Sequence, residues 1–204
     1  MQNIENLIFD LGGVILTLDM PRAEQHFTAL GVKDYNTLFR SGNVSSFFKA
    51  YEVGSITDAE FIEALKNLSG LPLTDKDLIA AWNAMLGHFP EERIALLNKL
   101  KNKYRLFLFS NTNALHLTTF RKMYGDTFNG NVFDDHFEKA YYSHTLGMRK
   151  PDKESYEYII RENNLDPSKT VFIDDSILNI EGAEAAGLKG IHIKPGISIL
   201  DICL

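Results

Sequence analysis

The stretch LIFDLGGVIL, residues 7–16, decides how the chain begins to fold. Three apolar residues lead into Asp10, Leu11 and two glycines follow, and apolar residues resume at Val14. A short apolar run bounded by a turn signal is typical of a buried strand. We therefore predict a strand over residues 5–10 that carries a carboxylate into a glycine turn.

Four later segments have the same short apolar character. They are YRLFLFS (104–110), KAYYS (139–143), TVFID (170–174) and GIHI (190–193). Helical patterns separate them, and one of these is expected to run from a cap at Ser176 to a stop at Gly187. Strands that alternate with helices predict an α/β fold with a parallel sheet and crossover helices.

The segment between the first two predicted strands is different, because its patterns are helical. Thr57 and Glu60 form a capping box before an apolar stripe, which predicts a helix that ends at Gly70. Further helices are expected near residues 21–30, near 44–52 and after Thr74. We predict that residues 17–88 form an inserted α-helical cap domain, while 1–16 and 89–204 form the core.

The composition is that of an ordinary globular protein, with 45% hydrophobic and 24% charged residues among 204. The net charge of -6 disfavours binding to nucleic acid, which depends on basic residues. The single cysteine, Cys203, cannot form an internal disulfide. Since the sequence also shows no secretory signal and no membrane-spanning run, we expect a soluble cytoplasmic protein.

Polar and charged residues collect at the ends of the predicted strands. They are Asp10, Ser110 with Asn111, and Asp174 with Asp175, joined by Lys150 from the loop GMRKPD. The carboxyl ends of parallel strands share one edge of a sheet, and ligands bind there. Three carboxylates at one edge repel each other unless a cation lies between them, and an oxygen-rich site suits Mg²⁺.

Mg²⁺ completes its coordination with substrate phosphate, so the site predicts a phosphate ester as the ligand. The turn at Gly12 and Gly13 allows backbone N–H groups to approach phosphate oxygens. The Ser110 hydroxyl and the Lys150 ammonium would add to the charge stabilisation. Asp10 could then attack phosphorus as a nucleophile.

Four motifs of the sequence resemble those of the haloacid dehalogenase superfamily, in the same order. They are FDLGGV, LFSNTN, GMRKPD and FIDDSILNIEGA, and the resemblance covers essentially the whole chain. It implies a Rossmann-like parallel sheet core with a helical cap inserted after the first strand. The sequence is most similar to bacterial sugar-phosphate phosphatases of this superfamily, which implies a small phosphorylated metabolite such as glucose 1-phosphate as substrate, and a monomer or homodimer.

The resemblance also implies roles for individual residues. These are Asp10 as nucleophile, Ser110 and Asn111 as phosphate binders, Lys150 as orienting cation, and Asp175, with Asp174, as Mg²⁺ ligands together with the Gly12 carbonyl. Asn179 is expected to hold the loop of the aspartate pair rather than to bind metal.

One position departs from the superfamily pattern. Most of its phosphatases carry a second aspartate two residues after the nucleophile, where this chain has Gly12; that aspartate protonates the leaving oxygen. A sugar 1-phosphate could need less help, or Asp19, His116 or a cap residue could supply the proton. Two other classes stay open, namely a 2-haloacid dehalogenase and a catalytically weak protein that binds a phosphorylated metabolite.

The insert predicts a movable cover for the strand ends. Its two connections, near residues 16–20 and 87–90, are expected to act as a hinge that includes Gly87 and Pro90. We expect the stretch from Phe47 to Ile56 to line the cleft and to set substrate specificity.

Overall fold

The structure, a computed structural model, describes residues 3–33 and 46–203. Its centre is a parallel five-stranded sheet with the strand order β3-β2-β1-β4-β5. The strands are β1 (Asn6–Phe9), β2 (Arg105–Ser110), β3 (Lys139–Tyr142), β4 (Thr170–Asp174) and β5 (Lys189–His192). The predicted parallel α/β sheet is therefore confirmed, and each strand lies within one residue of its expected bounds.

β1 is the central strand, and all four of its residues are buried. It pairs in parallel with β2 on one side and with β4 on the other. Successive side chains of a strand point to opposite faces, so Leu7 and Phe9 pack into one apolar cluster and Ile8 into a second. Burial on both faces explains why β1 is a continuous apolar run in the sequence.

Helices connect the strands and make up the insert. They are α1 (Met20–Ala29), α2 (Ser46–Glu52), α3 (Asp58–Ser69), α4 (Asp75–Asn83), α5 (Glu91–Leu100), α6 (Ala114–Thr127), α7 (Ser143–Leu146), α8 (Lys153–Glu162) and α9 (Ile177–Ala185). None of the helices in the described part of the chain is long and apolar enough to cross a membrane.

Helices α1 to α4 lie between β1 and α5 in the chain and enclose an apolar cluster of their own, with Phe27, Phe61 and Leu78 among its buried members. α3 begins with the predicted capping box, in which Thr57 and Glu60 bond each other's backbone, and ends at Gly70 in the left-handed conformation. The start of the helix expected over 44–52 lies outside the described residues. The domain boundaries at 17 and 88 stay a prediction.

The two connections between the insert and the sheet lie side by side. Thr17 and His88 bond through backbone and side chain, and Gly87 N–H donates to the Thr17 carbonyl at 2.9 Å. A Cβ on Gly87 would lie 2.2 Å from the Thr17 hydroxyl and 2.7 Å from its carbonyl oxygen. Glycine at 87 is therefore explained by the close approach of the two connections.

Candidate active site

Asp10 directly follows β1, at the point where the strand order changes direction. Successive strands lie on one side of β1 up to β3 and on the other side from β4 onward, and such switch points form ligand-binding crevices. The Asp10 backbone still bonds the Ile173 carbonyl, at 2.9 Å. The sheet therefore fixes the backbone of Asp10 firmly, and the residue is only 8% exposed.

Lys150 bridges two carboxylates in the interior. Its ammonium donates to Asp10 Oδ1 at 2.6 Å and to Asp174 Oδ2 at 2.7 Å. Lys150 is 1% exposed and Asp174 is fully buried. A lysine is rarely buried to this extent unless it is paired, so these contacts explain its position.

Burial and neighbouring charges shift the pKa values of Asp10, Asp175 and Lys150. Burial raises the pKa of Asp10 to about 7, with Lys150 opposing the rise and Asp174 adding to it. Burial raises the pKa of Asp175 too, and the Asp174 charge adds to that rise. For Lys150, burial alone would lower the pKa, but the two carboxylates outweigh it and raise the pKa.

Asp174 accepts hydrogen bonds from three residues. Besides Lys150, it accepts from the backbone N–H of Ser176 at 2.8 Å and from the Asn179 side chain at 3.0 and 3.1 Å. Asn179 thus has the loop-holding contact expected of it. The predicted start of α9 is confirmed, since Ser176 is its N-cap residue, although the Ser176 hydroxyl makes no capping hydrogen bond.

Asp175 completes a group of three carboxylates. One oxygen from each of Asp10, Asp174 and Asp175 lies within 4.8 Å of the other two. Gly13, at φ +75°, packs against this group, since a Cβ there would lie 2.3 Å from Asp175 Oδ2. The second glycine of the opening motif therefore makes room for a carboxylate.

Ser110, the last residue of β2, and Asn111, which follows it, make different contacts. Ser110 is buried, and its hydroxyl makes no hydrogen bond to any described residue. The Asn111 side chain, by contrast, bonds both the N–H and the carbonyl of Lys150, each at 2.9 Å. The Asn111 side chain therefore positions the Lys150 loop, and the expected role of Asn111 in phosphate binding stays a prediction.

The steric reason for a glycine is weaker at position 12 than at position 13. The nearest atom to a Cβ at this position is the Cδ1 of Leu18, at 2.9 Å, which is the flexible end of a half-exposed side chain. The Gly12 N–H bonds no described residue, so it is free for an anion.

Two of the alternative proton donors considered from the sequence, Asp19 and His116, make other contacts. The Asp19 carboxylate caps α1 by accepting from Arg22 N–H at 3.0 Å. His116 is buried between Trp82 and Asn113, and burial lowers its pKa to about 4. It is therefore uncharged at neutral pH.

A cleft of about 380 Å³ opens between the insert and the strand ends. Its lining comprises Met20, Phe48, Lys49, Glu52, Trp82 and Met85 from the insert, and Asn111, Thr112, Asn113, His116 and Arg149 from the sheet side. The stretch 47–56 expected to line the cleft thus contributes three residues. Gly54 and His144 instead pack on each other, because a Cβ on Gly54 would lie 2.1 Å from the His144 carbonyl.

Sequence reasoning missed the charged residues Arg149 and Glu52 as a pair. Arg149 Nε donates to Glu52 Oε2 at 2.9 Å across this cleft. The only signal was the position of Arg149 directly before Lys150 in the GMRKPD motif, since Glu52 is 97 residues away.

A parallel sheet with a charged cluster at its carboxyl edge is typical of α/β enzymes. The chain belongs to the haloacid dehalogenase-like hydrolase family, whose profile matches residues 4–187. It is therefore a hydrolase of this family, as the motifs indicated.

The chain is similar to two curated proteins and to one solved structure over nearly its whole length. The chain is 30% identical to a D-ribitol-5-phosphate phosphatase of Bacteroides thetaiotaomicron over 95% of this chain and 93% of that protein. It is 28% identical to a sesquiterpene phosphatase of Aspergillus oryzae, over 94% and 90% of the two chains. The structure also superimposes on an enzyme of the haloacid dehalogenase (HAD) family from Bacteroides thetaiotaomicron, with a TM-score of 0.89 at 34% identity over 95% of each chain. That enzyme was crystallised as an aspartate-to-alanine mutant with magnesium and inorganic phosphate.

Proposed function

We propose that this protein is a Mg²⁺-dependent phosphatase that hydrolyses a small phosphorylated metabolite, a sugar phosphate such as glucose 1-phosphate or a related sugar-alcohol phosphate. Phosphatase activity is supported by two relatives that are named as phosphatases. The organic groups in their names differ widely, so the choice of a sugar phosphate depends on the sequence motifs and on the cleft.

The observation that carries the proposal is the cluster of Asp10, Asp174 and Asp175 around a buried lysine. Lys150 can neutralise only one of the three carboxylates. Their oxygens are close enough to share one cation, and an all-oxygen donor set fits Mg²⁺. The Gly12 carbonyl would join these carboxylates in holding the ion, which when bound offsets negative charge on the phosphoryl group.

The residues of the chain have distinct roles in the proposed reaction. Asp10 attacks phosphorus and displaces the alcohol, which gives an aspartyl-phosphate that water then hydrolyses to release phosphate and restore the carboxylate. Lys150 holds Asp10 in place and balances its charge. The Ser110 hydroxyl and the N–H groups of Gly12 and Asn111 would bind the phosphoryl oxygens.

The leaving oxygen receives no proton from residue 12. A positioned general acid contributes about 10²- to 10⁴-fold in rate, so esters whose alcohol is more acidic should be favoured. A sugar 1-phosphate has such a leaving group. The acidic cluster argues against carbon–halogen hydrolysis, because attack on carbon does not need a divalent cation.

The test is phosphate release with Mg²⁺ across a panel of sugar and sugar-alcohol phosphates, with Asp10→Asn as control. We expect phosphate release from at least one ester, and we expect EDTA to abolish that release. No release above the Asp10→Asn level for any ester would overturn the proposal, and EDTA-resistant activity on a 2-haloacid would establish the dehalogenase class instead.

A further inference from the structure

An ion pair joins the two sides of the cleft. Glu52 belongs to α2 of the insert, and Arg149 precedes Lys150 in the loop that Asn111 clamps. Both Nε and Nη2 of the guanidinium approach the same carboxylate oxygen, Oε2, at 2.9 and 2.8 Å. The contact therefore uses only one carboxylate oxygen, whereas a guanidinium and a carboxylate can also pair through both oxygens.

This geometry leaves hydrogen-bonding capacity on both partners. Neither Oε1 of Glu52 nor Nη1 of Arg149 bonds any residue in the described part of the chain, and the side chains are 33% and 24% exposed. A carboxylate oxygen accepts a hydrogen bond and a guanidinium N–H donates one. Neighbouring hydroxyl groups on a sugar or polyol supply the matching donor and acceptor.

The position of the pair matches the organic part of a phosphate ester. Asn111 and Thr112 line the cleft directly after Ser110, and Arg149 lines it directly before Lys150. The cleft lining is therefore adjacent in the chain to two residues of the proposed phosphate site, Ser110 and Lys150. Lys49, exposed at the same cleft, adds a positive charge that favours an anionic ligand.

The other walls of the cleft are largely apolar, but the charged pair disfavours an apolar ligand. Met20, Phe48, Trp82 and Met85 offer apolar surface suited to the C–H faces of a sugar. A terpenoid chain in this space would remove water from Glu52 and Arg149 without replacing its hydrogen bonds, which is costly for charged groups.

We propose that Glu52 and Arg149 determine substrate specificity by binding neighbouring hydroxyl groups of the substrate, which is therefore a polyhydroxylated phosphate ester. The proposal rests on the phosphatase function proposed above. Glu52 contributes the acceptor, and Arg149 contributes a donor while it holds the carboxylate in place.

The test compares esters that differ in their hydroxyl groups. D-ribitol 5-phosphate is paired with n-pentyl phosphate, and glucose 1-phosphate with cyclohexyl phosphate. We expect wild type to prefer the hydroxylated member of at least one pair, and Glu52→Ala to reduce that preference in kcat/KM at least about tenfold, mainly through KM. Glu52→Gln keeps an acceptor oxygen and should recover part of the preference.

Glu63→Ala is the matched control, because Glu63 is an exposed glutamate of the insert on α3. It should leave the preference unchanged. If Glu52→Ala lowers activity equally on both esters, so that the preference is unchanged, the contact between Glu52 and Arg149 is merely structural. That result would overturn the inference. Wild type that hydrolyses both members equally well overturns this inference alone, whereas wild type that hydrolyses no ester overturns the proposed function with it.

Discussion

Two neighbouring glycines after Asp10 illustrate how much a single residue decides at this site. Gly13 has a positive φ and lies against the Asp175 carboxylate, whereas Gly12 faces only the flexible end of Leu18. A side chain at 13 would meet both backbone strain and a fixed charged group. A side chain at 12 would need only a rotation of Leu18.

The pair allows a matched comparison. Gly13→Ala should lower the free energy of unfolding by about 1–3 kcal/mol, because the added Cβ is strained and displaces Asp175. Gly12→Ala should change it by less than about 1 kcal/mol, measured by urea unfolding without Mg²⁺. Equal costs at the two positions would contradict the geometry described for this turn.

Lys150 should contribute to stability as well as to the site. Lys150→Met leaves the buried carboxylates of Asp10 and Asp174 without their cation, which should cost about 3–5 kcal/mol of unfolding free energy. Added Mg²⁺ should restore part of that loss by replacing the missing positive charge.

The control for this variant is Lys153→Met, since Lys153 forms an exposed ion pair with Glu157. It should leave stability close to that of the wild type, with no added response to Mg²⁺. A Lys150→Met protein as stable as this control would show that the buried pairing is not needed to hold the carboxylates.

At the scale of elements, the two connections to the insert form a short hydrogen-bonded ribbon. Leu18 and Leu86 pair in an antiparallel bridge, and Asp19 N–H bonds the Met85 carbonyl at 2.8 Å. Gly87 fits this ribbon because it has no Cβ. The hinge predicted for the insert would lie at these bonds, and it stays a prediction.

Gly87→Ala tests the ribbon. The new Cβ would meet the Thr17 backbone, so we expect a loss of about 1–3 kcal/mol in unfolding free energy. Gly125→Ala, within α6, should instead stabilise by up to about 1 kcal/mol, since its Cβ would meet nothing closer than 3.8 Å. Differential scanning calorimetry of both variants decides the matter; a Gly87→Ala protein that melts at or above the wild-type temperature would contradict the close approach.

The strands were predictable because burial on both faces leaves a continuous apolar run in a segment such as 104–110. Asp10 and Lys150 were predicted as site residues because their motifs carry the family resemblance, and the structure places the two side chains in contact. The contact of the Asn111 side chain was not predictable, because its partner is the backbone of a residue 39 positions away. Such a contact leaves no pattern in the sequence. Backbone contacts of this kind become visible only once the fold brings two loops together.

At the scale of the whole molecule, the insert is docked on the core through buried and partly buried contacts. The Trp82 ring stacks on His116 of α6 with centroids 4.9 Å apart, and the Trp82 carbonyl lies 3.2 Å from His116 Nε2. Tyr51 OH accepts from the Leu115 N–H at 3.3 Å. The contact buries an uncharged histidine between the two parts.

His116 should make the folded state sensitive to acid. Its pKa falls from about 6.5 when unfolded to about 4 when folded, so the unfolded chain binds the proton more readily between these values. Its stabilising contribution is complete above pH 6.5 and is lost as the pH falls toward 4, by up to about 1.4 kcal/mol per pH unit. The slope of unfolding free energy against pH should therefore be shallower in His116→Gln than in wild type; identical slopes would show that His116 is not buried uncharged.

The central claim is that Asp10 forms a covalent bond to the phosphoryl group, and acid-quenched mass spectrometry during turnover with Mg²⁺ tests it most directly. We predict a phosphoryl group on the peptide that contains Asp10 in wild type, absent from Asp10→Asn. Turnover with no phosphorylated Asp10 peptide under rapid quenching, or a phosphoryl group on a different residue, would contradict the mechanism.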